Sequence, residues 1–226
     1  LLGLGLLAAL AAPALAADPG VFDDRIVLGS VLPQTGPPSL IGKAAVIALR
    51  VWEKDVNARG GIHGRKIDLR VEEDAYVPQR SVQAVKKLID VDKVFALLGT
   101  SGSSHLLAMM PIIEENQIPA LNFAAVAGAH FTPPRKTVFN IGATYCQEID
   151  GVMKHLITSR KLQGAKFAII YQDDDYGADV KCGYDAALKT LGLNSTIAVA
   201  YKRGAKDLSA EVLAVQRAGA TFVLTG

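Results

Sequence analysis

The chain has 226 residues, of which 24 are basic and 22 acidic, and half of the residues are hydrophobic. A chain of this length can bury a large core and form one or two domains. Because the charges nearly balance and no basic run occurs, the sequence argues against a nucleic-acid partner, which needs a clustered positive face. Cys146 and Cys182 are too few for a disulfide framework and are not at metal-ligand spacing. The sequence leaves open whether these two cysteines form one disulfide or remain free thiols.

The first 16 residues predict the remnant of an export signal and not a part of the fold. Residues 1–15 are apolar and uncharged, and Ala14-Leu15-Ala16 has the small-x-small pattern that signal peptidase recognises. The apolar stretch is shorter than the roughly 20 residues that cross a bilayer. A membrane anchor or a buried first helix are the alternatives. We expect an exported protein whose mature chain starts near Ala17 or Asp18.

Hydrophobic patterns predict alternating strands and helices along the rest of the chain. The predicted strands are 25–32, 65–73, 94–98, 118–123, 137–141, 166–171, 195–201 and 221–224. The predicted helices are 39–57, 78–90, 103–116, 147–160, 176–191 and 207–218. Strands that alternate with helices of this length form βαβ units, which predicts an α/β fold with parallel sheets and right-handed crossovers. Because the chain stops on a strand pattern with no helix after it, we interpret the sequence as a fragment.

One interruption of the alternation predicts two lobes. Pro133 and Pro134 precede an extended segment that no helix follows directly, which suggests a crossing from one sheet to a second. We therefore predict a first lobe over 17–140 and an incomplete second lobe over 141–226. Ligands of open α/β sheets sit outside the carboxyl ends of the strands. The loops expected to matter are 33–42, 99–104, 123–128 and 172–177.

The stretch Gly99-Thr100-Ser101-Gly102-Ser103-Ser104 is the central candidate site. It joins a buried strand to a helix, and Ser103 or Ser104 is the expected N-cap. A helix N-terminus offers free backbone N–H groups and a partial positive charge, which suits a carboxylate. Both hydroxyls can donate to an acid, so we predict that this turn binds one end of a small ligand.

Small residues and aromatics on other predicted loops extend this candidate site. The stretch from Ala124 to Gly128, which includes Ala125 and Val126, lets backbone groups approach a ligand closely. Tyr145 and Tyr176 can cover an apolar group from the second lobe, although a surface or edge-packing role is equally open.

No catalytic or metal pattern accompanies these residues. The serines lack a G-x-S-x-G elbow, and the glycines fit neither a dinucleotide fingerprint nor a phosphate loop. His105 is expected to be a surface or capping residue and not a base, and His63 a solvated hairpin residue. The run 173–175 lacks the spacing of a calcium loop and is expected to be an acidic strand-to-helix loop. We expect a binding protein without cofactor or metal, and not an enzyme.

Several motifs resemble those of the periplasmic substrate-binding proteins of ABC importers, of the branched-chain amino acid (leucine-binding) type. The motifs are GSVLPQTGP at 29–37, DVNARGGIHGRK at 55–66, DDDYG at 173–177 and DLS at 207–209. The resemblance covers about 25–226. It implies a type I periplasmic binding protein, with two Rossmann-like lobes that close about a hinge on a ligand. It also implies a periplasmic location and delivery of the ligand to a membrane permease. The alternative is a ligand-sensing domain of a receptor or an amide-type sensor, since the same fold serves there.

The resemblance also implies roles for single residues. Ser103 matches the serine that binds the ligand carboxylate, and Ala124 and Val126 match positions that contact the ligand's polar groups. Tyr176 matches the aromatic of the second lobe, and Ile41 falls where related binders often place an aromatic.

Two departures from the family pattern bear on the ligand. Val126 replaces a residue whose hydroxyl usually contacts the ligand ammonium, and Tyr76 and Gly102 stand where leucine-type binders carry their first-lobe disulfide. We therefore expect a carboxylate with an apolar or aromatic body and not an ordinary α-amino acid.

Overall fold

The computed structural model describes residues 18–122 and 124–226. The strands in this part of the chain are β1 (Arg25–Leu32), β2 (Lys66–Glu73), β3 (Ala96–Thr100), β4 (Ala120–Asn122), β5 (Val138–Asn140), β6 (Phe167–Gln172), β7 (Ser195–Tyr201) and β8 (Phe222–Thr225). The helices are α1 (Ser39–Ala58), α2 (Pro78–Asp90), α3 (Ser103–Glu115), α4 (Tyr145–Ser159), α5 (Asp175–Thr190) and α6 (Ser209–Arg217), with a short 3-10 helix at Gly128–His130. The predicted signal remnant at 1–16 lies outside the described residues.

The strands form two sheets, which confirms the predicted α/β architecture. The first sheet has the order β2-β1-β3-β4-β5 and the second the order β7-β6-β8. All neighbouring strands in both sheets are parallel. We refer to β1 through β5 with their helices as the N-terminal unit, and to α4 through β8 as the C-terminal unit. The predicted division at 140/141 falls between β5 and α4, and it stays a prediction.

Each sheet has helices on both faces, which explains why the central strands β1, β3 and β6 are nearly continuous apolar runs. In the N-terminal unit, α2 and α3 pack on one face through buried side chains such as Leu88, Leu106 and Met109. The other face packs against α1. In the C-terminal unit, α4 and α5 cover one face of the sheet and α6 covers the other.

The cysteine pair, for which the sequence leaves two states open, forms a disulfide between Cys146 of α4 and Cys182 of α5. The two helices cross closely at this point. A Cβ atom on Gly183 would lie 2.4 Å from the backbone oxygen of Cys146, so the crossing requires glycine there.

Several element boundaries differ from the prediction by a few residues, and two of the differences have a clear physical cause. The third strand is predicted at 94–98, but β3 continues through Gly99 to Thr100, because Thr100 pairs with Val31 of β1. Helix α4 starts at Tyr145 and not at residue 147, because Thr144 and Gln147 form a capping box. The Thr144 hydroxyl accepts from the Gln147 N–H at 3.3 Å, and the Gln147 side chain accepts from the Thr144 N–H at 3.0 Å. In the described part of the chain, no helix combines the length and apolarity needed to cross a membrane.

Candidate functional site

A cavity of about 380 Å³ lies between the two units, at the carboxyl ends of their strands. Its walls are formed by Pro38, Ile41, Tyr76, Ser101, Gly102, Ser103, Ala124, Tyr145, Gln172 and Tyr176. The first seven belong to the N-terminal unit and the last three to the C-terminal unit. A parallel bridge between Ser101 and Ala124 continues the pairing of β3 and β4 beyond both strands. This bridge brings the serine turn beside the loop that follows β4.

The turn that begins α3 is capped differently from the prediction. Gly102 and not Ser103 or Ser104 occupies the N-cap position, and no side chain caps this helix end. Gly102 has φ +100°, and a Cβ atom there would lie 2.2 Å from Nδ1 of His105. Glycine therefore satisfies both the backbone conformation and the packing of the His105 ring, and the two serines fall inside the helix.

Ser103 is the residue of the cavity wall that most clearly lacks a partner. It is 1% exposed, and its buried hydroxyl has no hydrogen-bond partner within the described residues. Leaving a buried hydroxyl unpaired costs about 1–3 kcal/mol. The uncapped start of α3 provides backbone N–H groups and a partial positive charge beside it. Hydroxyl and helix start together form a place for an anionic group.

The other small residues predicted for the site lie in different surroundings. Ala124 lines the cavity, whereas Ala125 and Val126 are buried and are not among the wall residues. The backbone oxygen of Ala124 accepts from the Tyr145 hydroxyl at 3.2 Å, and that of Val126 accepts from the Tyr145 N–H at 3.4 Å. Ser104 is not among the wall residues, and its hydroxyl accepts from Arg203 at 2.9 Å. Ile41 lines the cavity mouth as an exposed side chain.

Three tyrosines give the cavity an aromatic character. Tyr145 and Tyr176 meet edge to face, with ring centroids 4.9 Å apart. Burial raises the pKa of Tyr145 to about 12, and burial likewise raises the pKa of Tyr76 and of Tyr176. All three phenols are therefore neutral near pH 7 and can contact an apolar or aromatic group through their rings.

Tyr76 lines the cavity, but the sequence did not predict it as a site residue. It follows the carboxyl end of β2, and its turn is held by Asp74, which accepts from the Tyr76 N–H at 2.9 Å and from the Ser81 hydroxyl at 2.6 Å. An aromatic residue just beyond a strand end was the available signal, but the loop after β2 was not among those expected to matter.

His105 is fully buried, so the prediction of a surface or capping role is wrong. Its ring stacks on Tyr76 with centroids 4.4 Å apart. Within the described residues neither ring nitrogen has a hydrogen-bond partner, and burial lowers the pKa of His105. The neutral ring supports the cavity wall from behind. No local pattern indicated this, because the ring enters the core only where Gly102 leaves space.

A polar cluster in the C-terminal unit borders the cavity next to Tyr176. Asp174 caps α5 by accepting from the N–H groups of Tyr176 and Gly177, both at 3.1 Å. It also accepts from the Gln172 amide and from Arg203, both at 2.7 Å. Gln172 lines the cavity. The acidic strand-to-helix loop predicted at 173–175 is confirmed: Asp173 and Asp174 join β6 to α5, which begins at Asp175 with Asp174 as its N-cap.

Arg203 joins the two units beside the cavity. The same nitrogen that donates to Asp174 also donates to the Ser104 hydroxyl of the N-terminal unit. The guanidinium lies over the Tyr76 ring, 5.3 Å from its centroid. Arg203 follows β7 in a loop that the sequence prediction did not include, and its partners are distant in sequence.

Hydroxyls, backbone N–H groups and aromatic rings thus surround the cavity, a set suited to holding a ligand by hydrogen bonds and apolar contact. In residues 18–122 and 124–226, no group of three or more histidine, cysteine or acidic side chains is placed to hold a metal ion.

Comparison with known proteins places the chain in a family. A family model described as "Periplasmic binding protein" matches residues 25–226. The chain is 30% identical over 224 residues to "Leu/Ile/Val-binding protein homolog 7" of Brucella suis, an alignment that covers 96% of this chain and 56% of the relative. It is 29% identical over 205 residues to an "Amino acid binding protein" of Pseudomonas aeruginosa, covering 89% of this chain and 53% of the relative.

Among solved structures, the chain is similar to a "Fatty acid ABC transporter substrate-binding protein" from Thermomonospora curvata. The TM-score is 0.84 at 27% identity, and the match covers 93% of this chain and 53% of that one. The chain therefore spans about half the length of the relatives that it matches.

Proposed function

The chain belongs to the periplasmic binding protein family, and from that premise we propose that it captures a small carboxylate between two lobes and delivers it to the permease of an ABC importer. In this proposal the protein acts in the periplasm and performs no chemistry on its ligand. The ligand binds one open lobe, hinge closure buries it, and the closed form docks on the permease. A higher affinity for the closed state drives the closure.

The observation that carries this proposal is the Ser103 hydroxyl. It is buried in the cavity wall without a partner in the described chain, next to a helix start that no side chain caps. A ligand carboxylate would accept from this hydroxyl and would also be stabilised by the helix N-terminus.

The remaining walls support a ligand with an apolar or aromatic body. Tyr76, Tyr145 and Tyr176 present ring surface to the cavity. The names of two similar proteins, one for leucine, isoleucine and valine and one for fatty acids, both describe acids with an apolar body. We propose an aromatic or aliphatic acid and not an ordinary α-amino acid.

A thermal-shift screen of the full-length protein tests the ligand class. Benzoate, octanoate and related acids should raise the melting temperature, because a ligand that binds only the folded state stabilises it by mass action. Leucine is the comparison compound. Strong stabilisation by leucine with none by the acids would refute the proposed ligand class.

Replacement of Ser103 by alanine tests the anchor. Ser103→Ala should weaken binding of the acid found in the screen by about 1–3 kcal/mol, the scale of a hydrogen bond to a charged group. Isothermal titration calorimetry measures this change. Ser159→Ala, at the exposed C-terminal end of α4, is the matched control and should leave the affinity unchanged. Equal affinities of the two variants would count against the serine turn as the anchor.

A further inference from the structure

His130 lies behind the candidate ligand-binding turn and connects it to the loop after β4. The imidazole is fully buried. Its Nε2 atom is 2.9 Å from the backbone oxygen of Ser103, and its Nδ1 atom is 3.0 Å from the backbone oxygen of Ala125. One ring therefore holds the first residue of α3 against the segment that follows Ala124 in the cavity wall.

This geometry fits the protonated ring. A carbonyl oxygen can only accept a hydrogen bond, and a neutral imidazole has a single N–H group. Only the imidazolium can donate to Ser103 and Ala125 at the same time. In the neutral form one ring nitrogen would direct its lone pair at a carbonyl oxygen, both atoms being buried and both being acceptors.

The surroundings of His130 set two effects against each other. Burial lowers its pKa, because a charge is poorly solvated there, while the two carbonyl oxygens raise it. The charged groups that act on His130 are Asp175 and Asp179 on α5, whose negative charges also favour the proton. On α3, burial lowers the pKa of His105 and favours its neutral ring. Asp179 is engaged elsewhere, accepting from the N–H groups of Gly128 at 3.1 Å and Cys146 at 3.0 Å. Burial is the largest of these effects, so the pKa of His130 lies below its ordinary value in the free protein, and a further negative charge nearby would raise it.

We propose that His130 is a positioning residue that takes up a proton when a carboxylate binds at Ser103, and thereby selects an anionic ligand. This inference rests on the proposed function. The bound carboxylate on one side of Ser103 and the imidazolium on the other form a charge pair through the same residue. The proton in turn completes both hydrogen bonds and fixes the spacing between the α3 turn and the loop after β4.

The linkage has a definite sign. If binding and protonation favour each other, lowering the pH strengthens binding. Between the pKa of His130 in the free protein and its higher pKa in the complex, the dissociation constant should rise about tenfold per pH unit. The carboxylic acid does not produce this slope, since its own pKa lies near 4 to 5 and it stays ionised above about pH 6.

Calorimetric titration of the full-length protein with octanoate and with benzoate, from pH 6 to 8, tests the proposal. Two buffers of different ionisation enthalpy report the protons taken up. We expect uptake approaching one proton per ligand and a dissociation constant that rises with pH. His130→Gln keeps one amide donor but cannot titrate, so its affinity should be flat with pH and its proton uptake lost. His63→Gln, in the exposed hairpin turn, should behave as the wild type, and His105→Gln should retain the slope.

Each alternative outcome overturns the inference in its own way. Binding of the acids with no pH dependence and no proton uptake in the wild type refutes the role of His130 but leaves the proposed function standing. A slope that survives in His130→Gln and disappears in His105→Gln assigns the proton to His105. Binding of neither acid refutes the proposed function and this inference with it. Should His130→Gln not fold, the ¹⁵N shifts of the wild-type ring with and without octanoate still decide, because the proposal requires conversion to the imidazolium on binding.

Discussion

Gly102 shows how one residue determines the geometry of the candidate site. Its φ is positive, and a Cβ atom at this position would lie only 2.2 Å from the His105 ring, so no side chain fits. With glycine there, the His105 ring packs against the turn and stacks on Tyr76. The position of Tyr76 in the cavity wall therefore depends on residue 102 having no side chain, because the His105 ring lies between the two.

Gly102→Ala should lower the free energy of unfolding by about 1–3 kcal/mol, since it combines a strained backbone with a steric clash. It should also weaken acid binding, because the start of α3 must shift. Chemical denaturation and calorimetry measure the two effects. Gly151→Ala is the matched control: it lies in α4 with open space at its Cβ position, and alanine there should stabilise by up to about 1 kcal/mol. A Gly102→Ala variant as stable as Gly151→Ala would contradict this account of the turn.

For single residues, the sequence predicted those that lie on a strand-to-helix turn. It missed those whose place in the site depends on contacts between distant parts of the chain. Ser103, Tyr145 and Tyr176 follow recognisable strand-to-helix turns, and the structure brings all three to one cavity. Gln172 is the first residue of the predicted loop 172–177, but it was not predicted to contact the ligand. Arg203 reaches Ser104 across 99 residues of sequence, and no spacing rule could have paired them.

At the scale of elements, the tight crossing of α4 and α5 stabilises the C-terminal unit. Gly183 allows the helices to approach, and the disulfide between Cys146 and Cys182 spans a sequence separation of 36 residues. Closing a loop of this length restricts the unfolded chain, an effect typically worth about 2–4 kcal/mol.

The double variant Cys146→Ser with Cys182→Ser should therefore lose about 2–4 kcal/mol of stability, measured by chemical denaturation. A reducing agent should lower the wild-type stability to a similar degree and leave the double variant unaffected. Sensitivity of the double variant to the reducing agent, or no loss of stability on substitution, would argue against a structural role for the pair.

Element type was easier to predict than element ends. The hydrophobic pattern predicted each strand and helix, because burial on both faces gives a strand a continuous apolar run and burial on one face gives a helix an apolar stripe. The ends depended on single contacts: the capping box of Thr144 and Gln147 moved the start of α4, and pairing with β1 carried β3 through Gly99. Glycine usually interrupts a strand, but the ladder of a central strand outweighed that tendency here.

At the scale of the whole molecule, the two sheets present their carboxyl edges to one cavity, as the predicted alternation of strands and helices implied. What the alternation could not supply was the set of contacts between the units. They include side-chain to backbone and side-chain to side-chain bonds, such as Asp179 with the Gly128 N–H and Arg203 with Ser104. Such bonds depend on the relative placement of two units, which no local pattern encodes.

In the proposed closure of the two units on a ligand, Arg203 is the contact whose loss should have the largest effect. Its side chain is 24% exposed and is held by Asp174, which is 7% exposed, while it donates across the cavity edge to Ser104. Neighbouring Lys202 is 88% exposed and, among the residues that the structure describes, pairs only with Asp173 of its own unit. Variants at these two positions therefore distinguish the effect of a bond between the units from that of a surface ion pair, which typically contributes little to stability.

Arg203→Ala should weaken binding of an acid ligand about 5- to 30-fold, the equivalent of roughly 1–2 kcal/mol for a charge-assisted bond between the two units. Lys202→Ala should change the affinity by less than about twofold. Small-angle scattering of the ligand-saturated proteins adds a conformational readout, because a variant that closes less completely keeps a larger radius of gyration. Since Asp174 would remain capped onto α5 in Arg203→Ala, the C-terminal unit should stay folded, and the loss should appear in closure. Equal affinities for the two variants would mean that the bond to Ser104 does not contribute to closing the cavity.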